Sequence, residues 1–187
     1  NGREKKLVLS GDIGKKNTPI IRDPMPPAEG DYVVMESTYG DRLHKNIGDT
    51  EKELAEAVLS TFEKGGNVVI PAFAIGRTQD ILYILNRMVR DGRLPKLAVY
   101  VDSPLAEKAT KIYLGHPDVY DEDARRIVAE GPIPHAFTMK FSQSAEDSKA
   151  INKIKSRAII IAGSGMCEGG RIRHHLKHNL WRPECSV

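Results

Sequence analysis

The chain has 187 residues, long enough for a domain with its own hydrophobic core, so no disulfide or metal staple is needed merely to fold it. Hydrophobic residues make up 40% and charged residues 28%, the balance of a globular chain rather than a disordered one. With 28 basic and 25 acidic side chains the formal charge is +3, which permits an anionic partner without demanding one, and no apolar run approaches the roughly 18 residues that a spanning helix needs.

The segment before Leu7-Val8-Leu9 has no apolar stretch of signal-peptide type, and those three residues read as a short strand. Residues 17–30, with four prolines, read as an extended connector. Tyr32 to Met35 follows as a buried strand. Thr50 to Lys64 is predicted helical, opened by a capping box of Thr50 and Glu53 and closed by Gly65-Gly66. Asn67 to Ile70 is the next strand. Gly76 to Asp91 is the next helix, with Ile81, Leu82, Leu85, Met88 and Val89 on one face and Gly92 as its stop. After the strand Leu97 to Val101, Ser103 and Pro104 form a helix start, with Ser103 as N-cap and Pro104 at the first helical position, where its missing N–H costs nothing. The stretch from Gly115 to Pro134 is irregular, with one short helix from Asp121 to Glu130. A helix from Ser144 to Lys155, a strand from Arg157 to Ala162 and a helix from Glu168 to Leu180 complete the order.

Short apolar runs alternating with amphipathic segments specify an α/β fold: three layers, a largely parallel sheet with helices on both faces. The aliphatic residues of Tyr32–Met35, Val68–Ile70, Leu97–Val101 and Ala158–Ile161 are its expected core. Two cysteines, Cys167 and Cys185, form no disulfide framework and suit a reducing, cytoplasmic setting. The abrupt ends suggest a piece of a longer protein.

Open parallel sheets bind ligands beyond the carboxyl ends of their strands, where helix N-termini offer free N–H groups to anions. Three turns at strand ends meet that description: Pro71 to Arg77, Asp102-Ser103-Pro104, and Gly163 to Arg171. The last is glycine-rich, so its backbone can wrap an anion while Arg171 adds charge. It matches neither a P-loop nor a dinucleotide fingerprint, and tight strand-to-helix packing explains it equally well. His174 and His178, four apart, share a helix face, whereas His175 points about 100° away from His174. No glutamate makes an HExxH motif of them, and histidines near a helix C-terminus also serve the dipole without binding anything. Asp12 and Glu36 each end a strand, a position where carboxylates commonly serve turns.

Taken in order, Ser-Gly-Asp-Ile-Gly, Glu-Ser-Thr-Tyr-Gly-Asp-Arg, Pro-Ala-Phe-Ala-Ile-Gly-Arg-Thr-Gln-Asp, Asp-Ser-Pro-Leu-Ala and Gly-Ser-Gly-Met-Cys-Glu-Gly-Gly-Arg-Ile-Arg-His-His-Leu resemble the β-CASP branch of the metallo-β-lactamase superfamily. Within that branch the chain is most similar to prokaryotic RNA-processing nucleases related to the endonuclease subunit of mRNA 3′-end processing. The resemblance implies a β-CASP domain over residues 31–187, preceded in 1–30 by the end segment of a metallo-β-lactamase domain and a connector. It implies a ribonuclease with two zinc ions in the full-length protein. Asp12 matches a zinc-bridging aspartate, Glu36 motif A and His174 motif B, the last two lying beside the metals and pairing, with His175 the neighbouring candidate. A carboxylate beside an imidazole favours its protonated form, ready for the leaving oxygen of a phosphodiester. Arg77, Ser164, Gly165 and Arg171 are the expected contacts to RNA phosphates.

The family's remaining zinc ligands match nothing in this sequence, so the chain by itself is expected to bind no zinc and to be inactive. The implied partners are RNA and the metallo-β-lactamase domain of the same chain, with no membrane, and with a homodimer left open. A non-catalytic nucleic-acid-binding or interaction module in a degenerate relative is the alternative, and a nucleotide-binding doubly wound domain is disfavoured by the missing fingerprint.

Overall fold

The computed structural model describes residues 2–26, 29–131 and 137–187. Parts of the connector 17–30 and of the irregular stretch 115–134 therefore lie outside the described residues. The elements, in chain order, are β1 (Leu7–Leu9), β2 (Tyr32–Val34), α1 (Ile47–Glu63), β3 (Val68–Pro71), α2 (Arg77–Arg90), β4 (Leu97–Asp102), α3 (Pro104–Gly115), a single 3-10 turn (Pro117–Val119), α4 (Glu122–Ala129), β5 (Phe137–Phe141), α5 (Ala145–Ile151), β6 (Ala158–Ala162) and α6 (Ile172–Asn179). Among the described residues no helix is long and apolar enough to cross a membrane.

The main sheet is four-stranded and wholly parallel, in the order β3-β6-β4-β5. Its centre is β6, whose five residues are all buried. Because successive strand residues face opposite sides, Ile159 and Ile161 join Val99, Val101, Leu85, Met88, Val58 and Phe62 in one core. Ala158, Ile160 and Ala162 join Val69, Ile151 and Ile172 in the other. Thus α1, α2 and α3 cover one face and α5 and α6 the other. Each fully buried aliphatic side chain contributes about 1.5–3 kcal/mol, and a strand buried on both sides cannot alternate with polar residues. That is why β6 reads as a continuous apolar run. The handedness of parallel crossovers explains the distribution of helices: the chain moves one way across the sheet from β3 to β4 to β5, then reverses from β5 to β6, so α5 lands on the opposite face.

Helix ends follow local chemistry. Ser103 caps α3, its Oγ accepting from the Ala106 N–H at 3.1 Å, with Pro104 opening the helix. Ser144 and Asp147 form a reciprocal capping box on α5. Gly65 and Gly92 take positive φ after α1 and α2, as the stops of both helices require.

Three expectations are corrected. Helix α1 begins a turn before Thr50: Asn46 is its N-cap, accepting from the Asp49 N–H at 2.8 Å, while the Thr50 hydroxyl donates to the Asn46 carbonyl. Helix α6 begins at Ile172 rather than Glu168, because Cys167 and Gly170 adopt positive φ and hold the preceding residues as a loop. The strand Tyr32–Met35 is not core. It pairs in parallel only with β1, in a separate two-stranded sheet that straddles the expected boundary at residue 30, and Tyr32, Val33, Val34 and Met35 are all exposed.

Candidate functional site

The carboxyl ends of the four parallel strands gather most of the residues the sequence singles out. The loops after β3 and β6 lie side by side, the Ala72 N–H donating to the Ala162 carbonyl at 3.0 Å. The loop from Gly163 to Arg171 is closed on itself by Ser164 N–H to Gly169 carbonyl (3.2 Å) and Ile172 N–H to Gly163 carbonyl (2.9 Å). Glycine is required at Gly170, whose φ is +73° and where a Cβ would stand 2.5 Å from the Gly163 oxygen. Gly165 passes so close to the next loop that a Cβ would meet the Phe73 ring at 2.9 Å. These glycines therefore serve close approach within the loop and between neighbouring loops, rather than the strand-to-helix packing expected. Arg77, exposed at the first position of α2, stands beside Asp80, whose carboxyl is pushed up by burial, an effect Arg77 partly offsets. The Ser164 hydroxyl is buried and has no hydrogen-bond partner among the described residues. Arg77, Ser164 and Gly165 thus share one rim of the sheet.

Arg171 is placed differently. The loops after β4 and β6 leave the sheet toward opposite faces, and Asp102, the last residue of β4, stands in the crevice between them. Its carboxylate accepts from Arg171 Nη1 (2.7 Å), His175 Nε2 (2.7 Å), Ser148 Oγ (2.6 Å) and Ser142 Oγ. Burial opposes ionisation of Asp102, yet the bonds from His175, Ser142, Ser148 and Arg171 outweigh it and hold the carboxyl well below the usual carboxylate range. An ionised carboxylate only accepts, so His175 Nε2 carries a proton. The other ring nitrogen, Nδ1, meets Asn152 Oδ1 at 2.8 Å. One carboxylate therefore ties together β5, α5, α6 and the glycine loop.

His175, at 0% exposure, is buried inside this network with both ring nitrogens engaged. His174 is exposed on the outer side of α6, and His178 donates from Nδ1 to its carbonyl at 2.8 Å. Of the two candidates it is His174 that is open to a substrate. Asp12 and Glu36 lie at the adjacent ends of β1 and β2, where Glu36 Oε1 accepts from the Ile13 N–H at 3.0 Å. No hydrogen bond joins Glu36 to His174 among the described residues. Nor do those residues contain a group of three or more His, Cys, Asp or Glu side chains able to hold a metal ion. A catalytic zinc takes about three protein ligands, so the side chains described do not by themselves fit a zinc centre.

Sequence reasoning missed Ser142, Ser148 and Asn152, and placed Asp102 in a ligand-binding turn and a family motif without assigning it a role. The one available signal was an aspartate closing an otherwise apolar strand.

Residues 78–187 match the family model described as the Beta-Casp domain. The chain belongs to the Beta-Casp family. It is 38% identical over 187 residues to "Ribonuclease TTHA0252" of Thermus thermophilus, covering 100% of this chain and 43% of that protein. It is 35% identical over 179 residues to "RNase J-like protein" of Methanocaldococcus jannaschii, covering 92% of this chain and 40% of the relative. It is 30% identical over 180 residues to "Endoribonuclease ysh1" of Schizosaccharomyces pombe, covering 95% and 23% respectively. The chain spans less than half the length of these relatives. The three-layer α/β Beta-Casp architecture expected from the sequence is thereby established, and these three relatives are by name a ribonuclease, an RNase J-like protein and an endoribonuclease.

Proposed function

We propose that the chain is the β-CASP part of a zinc-dependent ribonuclease that hydrolyses RNA phosphodiester bonds, forming the lid of a groove shared with a metallo-β-lactamase domain of the same polypeptide. The observation that carries this reading is the rim at the carboxyl ends of β3 and β6, where the exposed Arg77 stands with the half-buried Ser164 and Gly165, the Ser164 hydroxyl having no partner among the described residues, in a Beta-Casp chain with a relative named as a ribonuclease. Loop N–H groups and Arg77 contact phosphates there without reading bases, which positions a strand independently of its sequence. Arg171, half-committed to Asp102, adds directed charge rather than a mobile one.

Asp12, at the end of β1, supplies one carboxylate to a metal centre whose other ligands come from elsewhere in the longer polypeptide, and Glu36, at the adjacent end of β2, stands beside it as the partner of His174. Zinc, when bound, lowers the pKa of the attacking water and clamps the phosphate. The exposed His174 is the proton donor to the leaving oxygen, and His175 is a positioning residue that fixes α6 beneath it.

The test is RNA cleavage by the polypeptide that contains this chain and its flanking domain, with zinc, after chelation, and after zinc is restored. Cleavage lost on chelation and recovered with zinc is the expected result. RNA binding without cleavage in any metal would replace the hydrolase with a non-catalytic RNA-binding module.

A further inference from the structure

Running from Arg171 past the exposed His174, α5 and α6 border a groove of about 580 Å³ on the outer side of the sheet, lined by Lys149, Lys153 and Lys155 on one wall and by Arg171, His174 and His178 on the other. Arg171 opens α6 and His174 and His178 follow three and four residues on, so these three share a face, whereas Lys149 lies on α5 and Lys153 and Lys155 on the turn that follows it. No aspartate or glutamate lines the groove. Lys149, Lys153 and Lys155 are exposed and form no ion pair among the described residues. In a chain of net charge +3, this is a local concentration of positive charge rather than a share of a general excess.

The spacing of the two walls is set from below. Ser148 on α5 donates to Asp102, Asn152 at the end of α5 meets His175, and His175 and Arg171 both donate to the same Asp102 carboxylate. The floor is consequently a closed network of polar groups already committed to each other, and only the cationic walls face outward. Lys155 is anchored in turn, its carbonyl accepting from Arg182 Nη2 at 2.6 Å.

We infer that the α5–α6 groove is a second nucleic-acid-binding track, which takes the sugar-phosphate backbone of a single strand as it leaves the rim. The inference rests on the RNA reading above and extends it. Arg171 belongs both to the glycine loop at the rim and to the groove wall, so the track is continuous with the site. No Phe, Tyr or Trp lines the groove, so its main contribution is phosphate neutralisation by point charges rather than base stacking. Such binding is independent of sequence and steeply salt-dependent. A preorganised wall spacing reduces the ordering cost that flexible lysines otherwise carry.

The test is fluorescence-anisotropy titration of the protein with a labelled oligouridylate in about 50 to 200 mM KCl, comparing the parent with the triple variant Lys149→Gln, Lys153→Gln, Lys155→Gln. A control triple variant, Lys64→Gln, Lys96→Gln, Lys108→Gln, removes the same charge from exposed positions outside the groove. Each single-strand phosphate contact contributes about 0.7 to the slope of log K against log salt, so the groove variant should lower the slope by about 2 and weaken binding tenfold or more at about 0.1 M salt. The control should keep the parent slope. Equal slopes for parent and groove variant would overturn the groove while leaving RNA binding at the rim intact, and no binding by the parent would overturn both. Displacement of the oligouridylate by poly-glutamate at equal charge concentration would instead make the groove an acidic-peptide site.

Discussion

Replacing Asp102 tests whether a single carboxylate holds the candidate site together. Its side chain is fully buried, and its four donors come from Ser142, Ser148, Arg171 and His175, of which His175 is buried and Arg171 is 30% exposed. Removing one partner of a buried charged cluster costs about 3–5 kcal/mol, because the remaining donors stay buried without an acceptor. Asp102→Ala should therefore lose that much of a total stability of about 5–15 kcal/mol. Asp102→Asn should cost less, about 1.5–3 kcal/mol. The two serine hydroxyls can rotate, and the imidazole can shift its proton to Nδ1, facing Asn152 Oδ1, so that Nε2 accepts from the new amide. Arg171 alone is left against a neutral oxygen.

Urea unfolding measures both differences through the shift in midpoint at constant slope. The pH dependence supplies a second constraint. Because the folded carboxyl lies below its unfolded value of about 3.9, its contribution is complete above that pH and disappears as pH falls through the folded value. The gap between parent and Asp102→Asn should thus be flat from about pH 6 to 8 and begin to close only below about pH 4. An Asp102→Ala variant within about 0.5 kcal/mol of the parent, the range of ordinary surface changes, would refute the reasoning.

The parts legible in the sequence were those in which one short segment carries its own signal. Ala158–Ala162 announces a strand buried on both faces, and Ser103-Pro104 a helix start, because neither needs a distant partner. β5 went unread: Phe137-Thr138-Met139-Lys140-Phe141 pairs only with β4 at the sheet edge, and its exposed Thr138 and Lys140 break the apolar run. Tyr32–Val34 carries a buried strand's pattern but is covered by nothing described in this chain. In α1, Asn46 and Thr50 are both capping residues one turn apart, and composition cannot choose between them. The rim was legible through its glycines, whose conformational demands are local. The Asp102 network was not, since its members come from β4, the end of β5, α5 and α6 and meet only when the sheet closes. His175 entered as an alternative to His174, and burial separates the two.

Three further expectations follow from the same contacts. Ser103→Ala removes the acceptor for the Ala106 N–H and should lower stability by about 1 kcal/mol, read from the thermal midpoint. Gly66→Ala places a Cβ against the Glu184 carbonyl. It should displace the C-terminal segment from β3, where the Val69 N–H donates to the Ser186 carbonyl at 2.8 Å, at a cost of about 1–3 kcal/mol and with faster exchange of the Val69 amide. The adjacent histidines give the sharpest contrast. Consecutive helix positions differ by about 100°, so His175 enters the core while His174 faces solvent. His175→Ala leaves the Asp102 carboxylate one donor short and opens a cavity beneath α6, so it should destabilise the fold by about 2–4 kcal/mol. His174→Ala should leave the unfolding midpoint within about 0.5 kcal/mol of the parent. In the longer polypeptide, His174→Ala should instead lower kcat by about 100-fold or more, the contribution of a general acid, with RNA affinity little changed, and should flatten the alkaline limb of the pH–rate profile. A His174→Ala variant that unfolds readily, or that loses RNA binding and turnover in equal proportion, would show that the His174 side chain itself holds the fold or the strand rather than donating a proton.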